Sequence, residues 1–113
     1  MKFFDIIFLE EAHDFIEKQK AKTQSKILYN IERAQLKNDS ELFKKLKDEI
    51  WEFRTLHDGK QIRLLAFWDN RNNKNTLVII THGFIKKTHR IASKEIDRAS
   101  TIRKQYLLTE KSN

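Results

Sequence analysis

The apolar positions of this chain switch between two spacings, and the switches divide it into elements. Residues 3–8 are almost continuously apolar, with Asp5 the one polar member, and predict a strand. From residue 10 to about 20 the spacing becomes helical. Ala12, Phe15 and Ile16 fall on one side, and Glu, Lys and Gln fill the other. Residues 23 to about 37 repeat that pattern through Ile27, Leu28, Ile31 and Ala34. Two helical stripes this close predict an antiparallel helical hairpin. Asn38, Asp39 and Ser40 break the pattern with residues suited to capping. Residues 41–46 read as a short turn pinned to the core by Leu42, Phe43 and Leu46.

Three β-patterned runs follow, at about residues 49–56, 61–68 and 76–85. Asp58 and Gly59 join the first two as a hairpin turn. With those two at the centre of the turn, Arg54 lies directly opposite Arg63, and Glu52 and Leu65 share their face. Residues 70–75 form a polar hairpin loop without a hydrophobic anchor. Leu77, Val78, Ile79 and Ile80 are continuously apolar, as in a central strand covered on both faces. Gly83 in that strand marks a bulge or a close backbone approach. Ser93 can cap a last helix from residue 94 to about 107, with Glu95 and Asp97 near its positive end. Ile96, Ala99, Ile102, Arg103 and Tyr106 line one side of it, and residues 109–113 should fray. The predicted order is β-α-α-β-β-β-α. This is an α+β fold with helices segregated against a mostly antiparallel, four-stranded sheet. Its 113 residues make one domain, residues 1–108, without internal repeat.

Charge changes the picture next. Lys and Arg number 23 against 16 Asp and Glu, a formal net charge of +7. Such a surface favours polyanions, although it also suits an acidic protein partner. There is no cysteine, which excludes disulfides and thiolate metal sites. No apolar run approaches membrane-spanning length, acids interrupt the apolar N-terminus, and no small-residue cleavage site follows it. A cytoplasmic protein without membrane contact is expected. Phosphate loops, HExxH and nucleophile-elbow motifs are absent, and the four histidines lack metal-ligand spacing. Neither a metal nor another cofactor is expected.

What remains is a set of cations and aromatic rings. Arg54 and Arg63 suit a phosphate clamp, because guanidinium forks match phosphate oxygens at any working pH. The structural alternative is an ion pair with Glu52. Lys86, Lys87 and His89 follow the last strand, where they form either an ordinary solvated turn or a cationic extension of the clamp. His89 is the group most easily tuned for proton transfer. On a regular strand, His82, Phe84 and Lys86 share one face and Lys87 takes the other. Trp68 and Phe84 can stack on unpaired bases or pack at the core edge. With His82 and Lys60 they complete the RNA-binding candidates.

At these residues the chain resembles a family. Leu46, then Trp51-Glu52-Phe53-Arg54, then Ile62-Arg63, then His82-Gly83-Phe84-Ile85-Lys86-Lys87-Thr88 is similar to the phage-derived, HigB-like branch of the RelE/ParE toxin superfamily. The match is good over about residues 46–103. The resemblance implies a small α+β toxin of a type II toxin–antitoxin module, neutralised by a helix-turn-helix antitoxin. It implies an mRNA interferase, a hydrolase that cuts mRNA on the ribosome. Arg63 matches the arginine that contacts the scissile phosphate. Arg54 matches the one ending the preceding strand. Lys86 and Lys87 match the basic segment after the last strand. Some members carry lysines where this chain has Ile50 and Glu52. Others use a late tyrosine, but here Tyr106 lies well along the last helix, so His89 or His82 would have to substitute.

The expected reaction uses no metal: the RNA 2′-OH attacks the adjacent phosphate in line. Arg63, with Arg54 and Lys87, would stabilise the added negative charge, and His89 or Lys86 would protonate the leaving oxygen. Two other readings share this fold. One is a ParE-like gyrase inhibitor without catalysis. The other is a non-toxic homologue that only binds its antitoxin.

Overall fold

A computed structural model describes residues 1–71 and 76–109. The elements run β1 (Asp5–Phe8), α1 (Glu10–Glu17), α2 (Ala21–Lys37), β2 (Phe43–Lys47), β3 (Ile50–His57), β4 (Lys60–Trp68), β5 (Leu77–Lys86) and α3 (Ser93–Thr109). The strands form one mixed sheet in the order β1-β5-β4-β3-β2. Only the β1–β5 pairing is parallel; the other three are antiparallel. The α+β class and the element types on either side of the hairpin follow the sequence pattern.

The central strands are apolar on both faces because both faces are covered. Ile62, Leu64, Ala66, Val78 and Ile80 pack with Ala12, Ile16, Ile27, Ile31 and Ala34 of α1 and α2. Leu65, Phe67 and Ile79 pack with Ala99, Ile96 and Tyr106 of α3. The molecule therefore has three layers, with the sheet between the N-terminal helix pair and α3. Asp58 and Gly59 both take positive φ, 55° and 74°, which is the turn that matches strand twist in a two-residue hairpin.

The sheet has five strands, and this corrects the expected turn over residues 41–46. Residues 43–47 form edge strand β2 instead, with Phe43 opposite Phe53 and Lys44 opposite Glu52. Leu42, Phe43 and Leu46 mimic a helical turn by spacing alone. Pairing with the edge of β3 decides the conformation, and the exposed Lys44, Lys45 and Lys47 blunt the new edge against other chains. Two smaller expectations fall partly outside the described residues: the loop over 70–75 and the tail over 109–113. Within the described part, Arg71 is not free solvent-facing loop. It pairs with Asp69 at 2.8 Å and lies over the Tyr106 ring at 5.4 Å.

Gly83 is a close approach, not the bulge. A Cβ there would collide with the Phe15 ring of α1 and come within 2.6 Å of Leu64 Cδ2. The register shift sits two residues earlier, where Leu65 faces His82 but Ala66 faces Ile80, leaving Thr81 as the extra residue. Gly83→Ala overpacks this contact and should cost about 1–3 kcal/mol. A lower urea midpoint with unchanged slope is the expected result. An unchanged midpoint would mean that the Phe15 ring moves aside freely.

A cationic face as candidate functional site

Strand alternation sends one set of side chains from β3, β4 and β5 to the α3 side. The register arranges them in rows: Leu56, Gln61 and Lys86; then Arg54, Arg63 and Phe84; then Glu52, Leu65 and His82. Lys44 of β2 extends the last row beside Glu52. Arg54 and Arg63 thus face each other, as the hairpin register predicts.

Glu52 resolves the repulsion between them. It is buried, and its Oε1 lies 3.2 Å from Arg63 Nε, while Oε2 lies 3.8 Å from Arg54 Nε. The Arg63 contact is off-line for a hydrogen bond, so the attraction there is Coulombic. The two arginines differ sharply in access. Arg63 is only 3% exposed; its other nitrogens donate to Ile62 O at 3.1 Å and Gln61 Oε1 at 2.9 Å. Burial lowers its pKa, the Glu52 carboxylate opposes this, and Arg54 adds to the lowering. A guanidinium nevertheless stays charged at any working pH. Arg54 is 31% exposed and held loosely, with Glu41 of the opposite rim at 3.9 Å. Arg63 is therefore the more buried partner of Glu52, and Arg54 is the more exposed guanidinium of the pair.

Beyond Lys86 the chain loops back through residues 87–92 to reach α3. This brings the basic segment over the open end of the rows. Lys60, Gln61, Lys86, Lys87, Thr88 and His89 line a groove of about 700 Å³. Lys86 and His89 also wall an adjoining cavity of about 270 Å³, with Lys44, Lys47, Glu52 and Arg90. Lys87, His89 and Lys60 are exposed and Lys86 is half-buried. The structure thus brings together Lys60, Lys86, Lys87 and His89, with Arg54 two strands away on the same face. It adds Lys44, Lys47 and Arg90, which sequence reasoning missed. Reading 41–46 as a turn hid the two lysines, and the only available signal was their alternation around Leu46.

Two candidates lie elsewhere. Trp68 points to the opposite layer, where its ring meets Phe4 and Trp51 edge-on at 5.2 and 5.9 Å. It belongs to an aromatic core with Phe43 and Phe53. His82 is 5% exposed and fastens α3 to the sheet, with Nε2 3.1 Å from Glu95 Oε1 and Nδ1 3.0 Å from Thr81 Oγ1. Thr81 also lies 3.1 Å from Leu65 O but has one hydroxyl proton, so it serves either that carbonyl or a neutral Nδ1. Phe84 is half-buried, stacks on His82 at 5.9 Å, and lines a cavity of about 350 Å³ with Lys86, Lys87 and Arg90. Tyr106 packs against Phe67, in the α3 core.

With this geometry in view, the comparisons with known proteins become informative. A family model described as "Phage derived protein Gp49-like (DUF891)" matches residues 14–104. The chain belongs to that Gp49-like family. The match spans all the motif residues that carry the resemblance described above. No curated relative matches the chain. Among solved structures, a chain of the toxin–antitoxin complex RelBE2 from Mycobacterium tuberculosis has the same fold, with a TM-score of 0.51 and 16% identity. The alignment covers 76% of this Gp49-like chain and 100% of that one. The fold is therefore RelE-like, as the resemblance implied.

Two tests probe the charged framework. Among the described residues Glu52 is the one carboxylate paired with Arg63, so Glu52→Gln leaves a buried guanidinium unbalanced, which should cost about 3–5 kcal/mol in urea denaturation. A change near zero would show that Gln61 and Ile62 alone hold Arg63. The second test concerns pH. Burial holds the His82 imidazole below its ordinary value of 6.5, against the opposing Glu95. The unfolded chain therefore takes up this proton first, and stability falls as pH drops below 6.5 toward the folded value. Urea midpoints measured on either side of that pH should decline less in His82→Gln than in the wild type. An equal decline would assign the effect to other groups.

Proposed function

We propose that this chain is the toxin of a toxin–antitoxin pair and that it cleaves mRNA bound to the ribosome. The observation that carries this reading is the gathering of Lys60, Lys86, Lys87 and His89 on one groove, with Lys44 in the adjoining cavity and Arg54 two strands away on the same face of the sheet. Family membership and the RelE-like fold support the toxin assignment. The fold match is to a toxin–antitoxin complex, so a protein antitoxin, of the helix-turn-helix kind implied by the motifs, is the expected partner. Among the described residues no helix is long and apolar enough to cross a membrane, which is compatible with action in the cytoplasm.

The chemistry follows from the charges. The RNA 2′-OH gives up its proton to solvent, and its oxygen forms a bond to the adjacent phosphorus as the bond to the 5′-oxygen breaks. The products are a 2′,3′-cyclic phosphate and a free 5′-OH. Negative charge grows on the phosphoryl oxygens in the transition state. Lys87 faces that charge from the groove and Arg54 from the same face of the sheet, while Arg63 acts behind Arg54 through their shared carboxylate. His89 delivers a proton to the 5′-oxygen, with Lys86 as the alternative donor. Phe84 and Lys60 flank the RNA path. Trp68, partly buried against the aromatic core, and His82, buried beneath α3, are left out of it. The groove is open and holds no rigid clamp, so the ribosome supplies the alignment of the mRNA. Alignment of that kind is worth several kcal/mol, on the order of known proximity effects.

The test is induced expression followed by 5′-end mapping of transcripts. Arg54→Ala and Lys86→Ala should each reduce cleavage by roughly 10²–10³-fold while leaving the fold intact by circular dichroism. Full cutting by both variants would remove the cationic groove from the mechanism. Growth arrest with intact mRNA and broken DNA would establish the gyrase-directed reading instead.

A further inference from the structure

A second groove lies on the far rim of β3; it shares Arg54 and Arg63 with the nuclease reading, but its α2 wall has no part in that reading. It has a volume of about 620 Å³ and runs between α2 and the outer edge of β3. β2 covers that edge only as far as Phe43 opposite Phe53. The last main-chain bond there is Arg54 N to Leu42 O, at 2.9 Å. Beyond it the chain at residues 39–42 turns away toward the end of α2. Main-chain groups alternate in direction along a strand, so the N–H and C=O of Leu56 point the same way as those of Arg54. Among the described residues no strand meets them.

The groove walls have a definite chemistry. Lys26 and Arg33 project from α2, one turn to either side of Tyr29. Both cations lie over its ring, at 5.6 and 5.7 Å, and Arg33 also donates to the Tyr29 hydroxyl at 3.3 Å. Arg54 closes the near end, and Glu41 is the one acid of the lining. The apolar surface is unusually open: Leu56 is 66% exposed and Tyr29 52%. Asn30 donates to Thr55 at 3.2 Å and fixes the spacing between helix and strand.

We propose that this groove takes an extended acidic segment of a protein partner, added to the sheet as a further strand against Leu56. Three features select a peptide over RNA. The unpaired N–H and C=O of Leu56 match the backbone of a strand, which supplies both groups at that spacing. The cations stand on the α2 side and the open leucine on the other, which fits a segment alternating acidic and apolar side chains. The Tyr29 ring, already met by two cations, offers a base little room to stack. The proposal rests on the toxin reading, since it names where the partner of that toxin would attach. It has a functional consequence: Arg54 lines this groove and is also the guanidinium assigned to the RNA phosphate, so a carboxylate seated there competes for it.

The test uses the full 15N-labelled chain and a short synthetic peptide of alternating acidic residues and valine. The peptide should bind saturably and slow hydrogen exchange of the Leu56 amide, the specific mark of strand addition. The double variant Lys26→Glu, Arg33→Glu should weaken binding about tenfold or more, as expected of reversed interface charges, and both positions are surface sites on a helix. The same variant should cleave mRNA as the wild type does. Absence of binding, binding without protection of Leu56, or displacement of the peptide by oligouridylate overturns the proposal. Transcript mapping on wild type is independent of these outcomes, so failure of the nuclease reading would be seen separately.

Discussion

The cationic face of this protein depends on one buried carboxylate. Antiparallel pairing forces Arg54 and Arg63 into opposition, and Lys44 and Lys86 come from the flanking strands. Without Glu52 these charges would repel across a surface that folding brings together. Glu52 stands in the next row, within reach of both guanidinium groups. Its position inside the sheet has a second effect. It draws Arg63 down into the layer and leaves Arg54 half-released at the rim. A pair that is symmetrical in register becomes asymmetrical in exposure, one arginine buried and the other partly open to solvent.

The opposite end of the face is set by α3. His82 and Glu95 join the sheet to the first turn of that helix, and Arg98 donates from Nε to Glu11 of α1 at 3.1 Å. The extra residue at Thr81 adjusts the register so that His82 reaches Glu95 while Ile79 and Ile80 keep opposite faces. With the helix anchored there, the connection from Lys86 must cross the open rows of the sheet. Thr88 Oγ1 donates to Arg90 O at 2.6 Å within that crossing and holds it folded. A histidine buried for structural reasons therefore decides where His89 and the lysines stand.

Edge strand β2 gives the molecule two distinct rims. Where it pairs with β3 it adds Lys44 and Lys47 to the cationic cavity. Where it stops, the edge of β3 remains open beside α2. The length of one short strand thus separates a surface suited to a phosphodiester from one suited to a polypeptide, with Arg54 at the boundary. The second surface follows from where hydrogen bonding ends.

Much of this was legible from the chain. Local patterns identified the helices, the hairpin turn and the central strand, because backbone preference and apolar spacing act over a few residues. The hairpin register followed from Asp58 and Gly59, and with it the Arg54–Arg63 opposition. The motifs over residues 46–103 pointed to the family. Other features needed the folded molecule. Residues 43–47 are a strand because β3 offered them an edge, a partner that lies beyond their own sequence. Trp68 and His82 look like recognition residues in the chain, yet burial gives one to the aromatic core and the other to α3. The preference for Arg54 over Arg63 is decided by a carboxylate two residues from one and eleven from the other. Sequence by itself determined which groups were present and which local shapes they favour. Tertiary structure alone decided which of them meet water, since exposure and pairing depend on contacts between segments far apart in the chain.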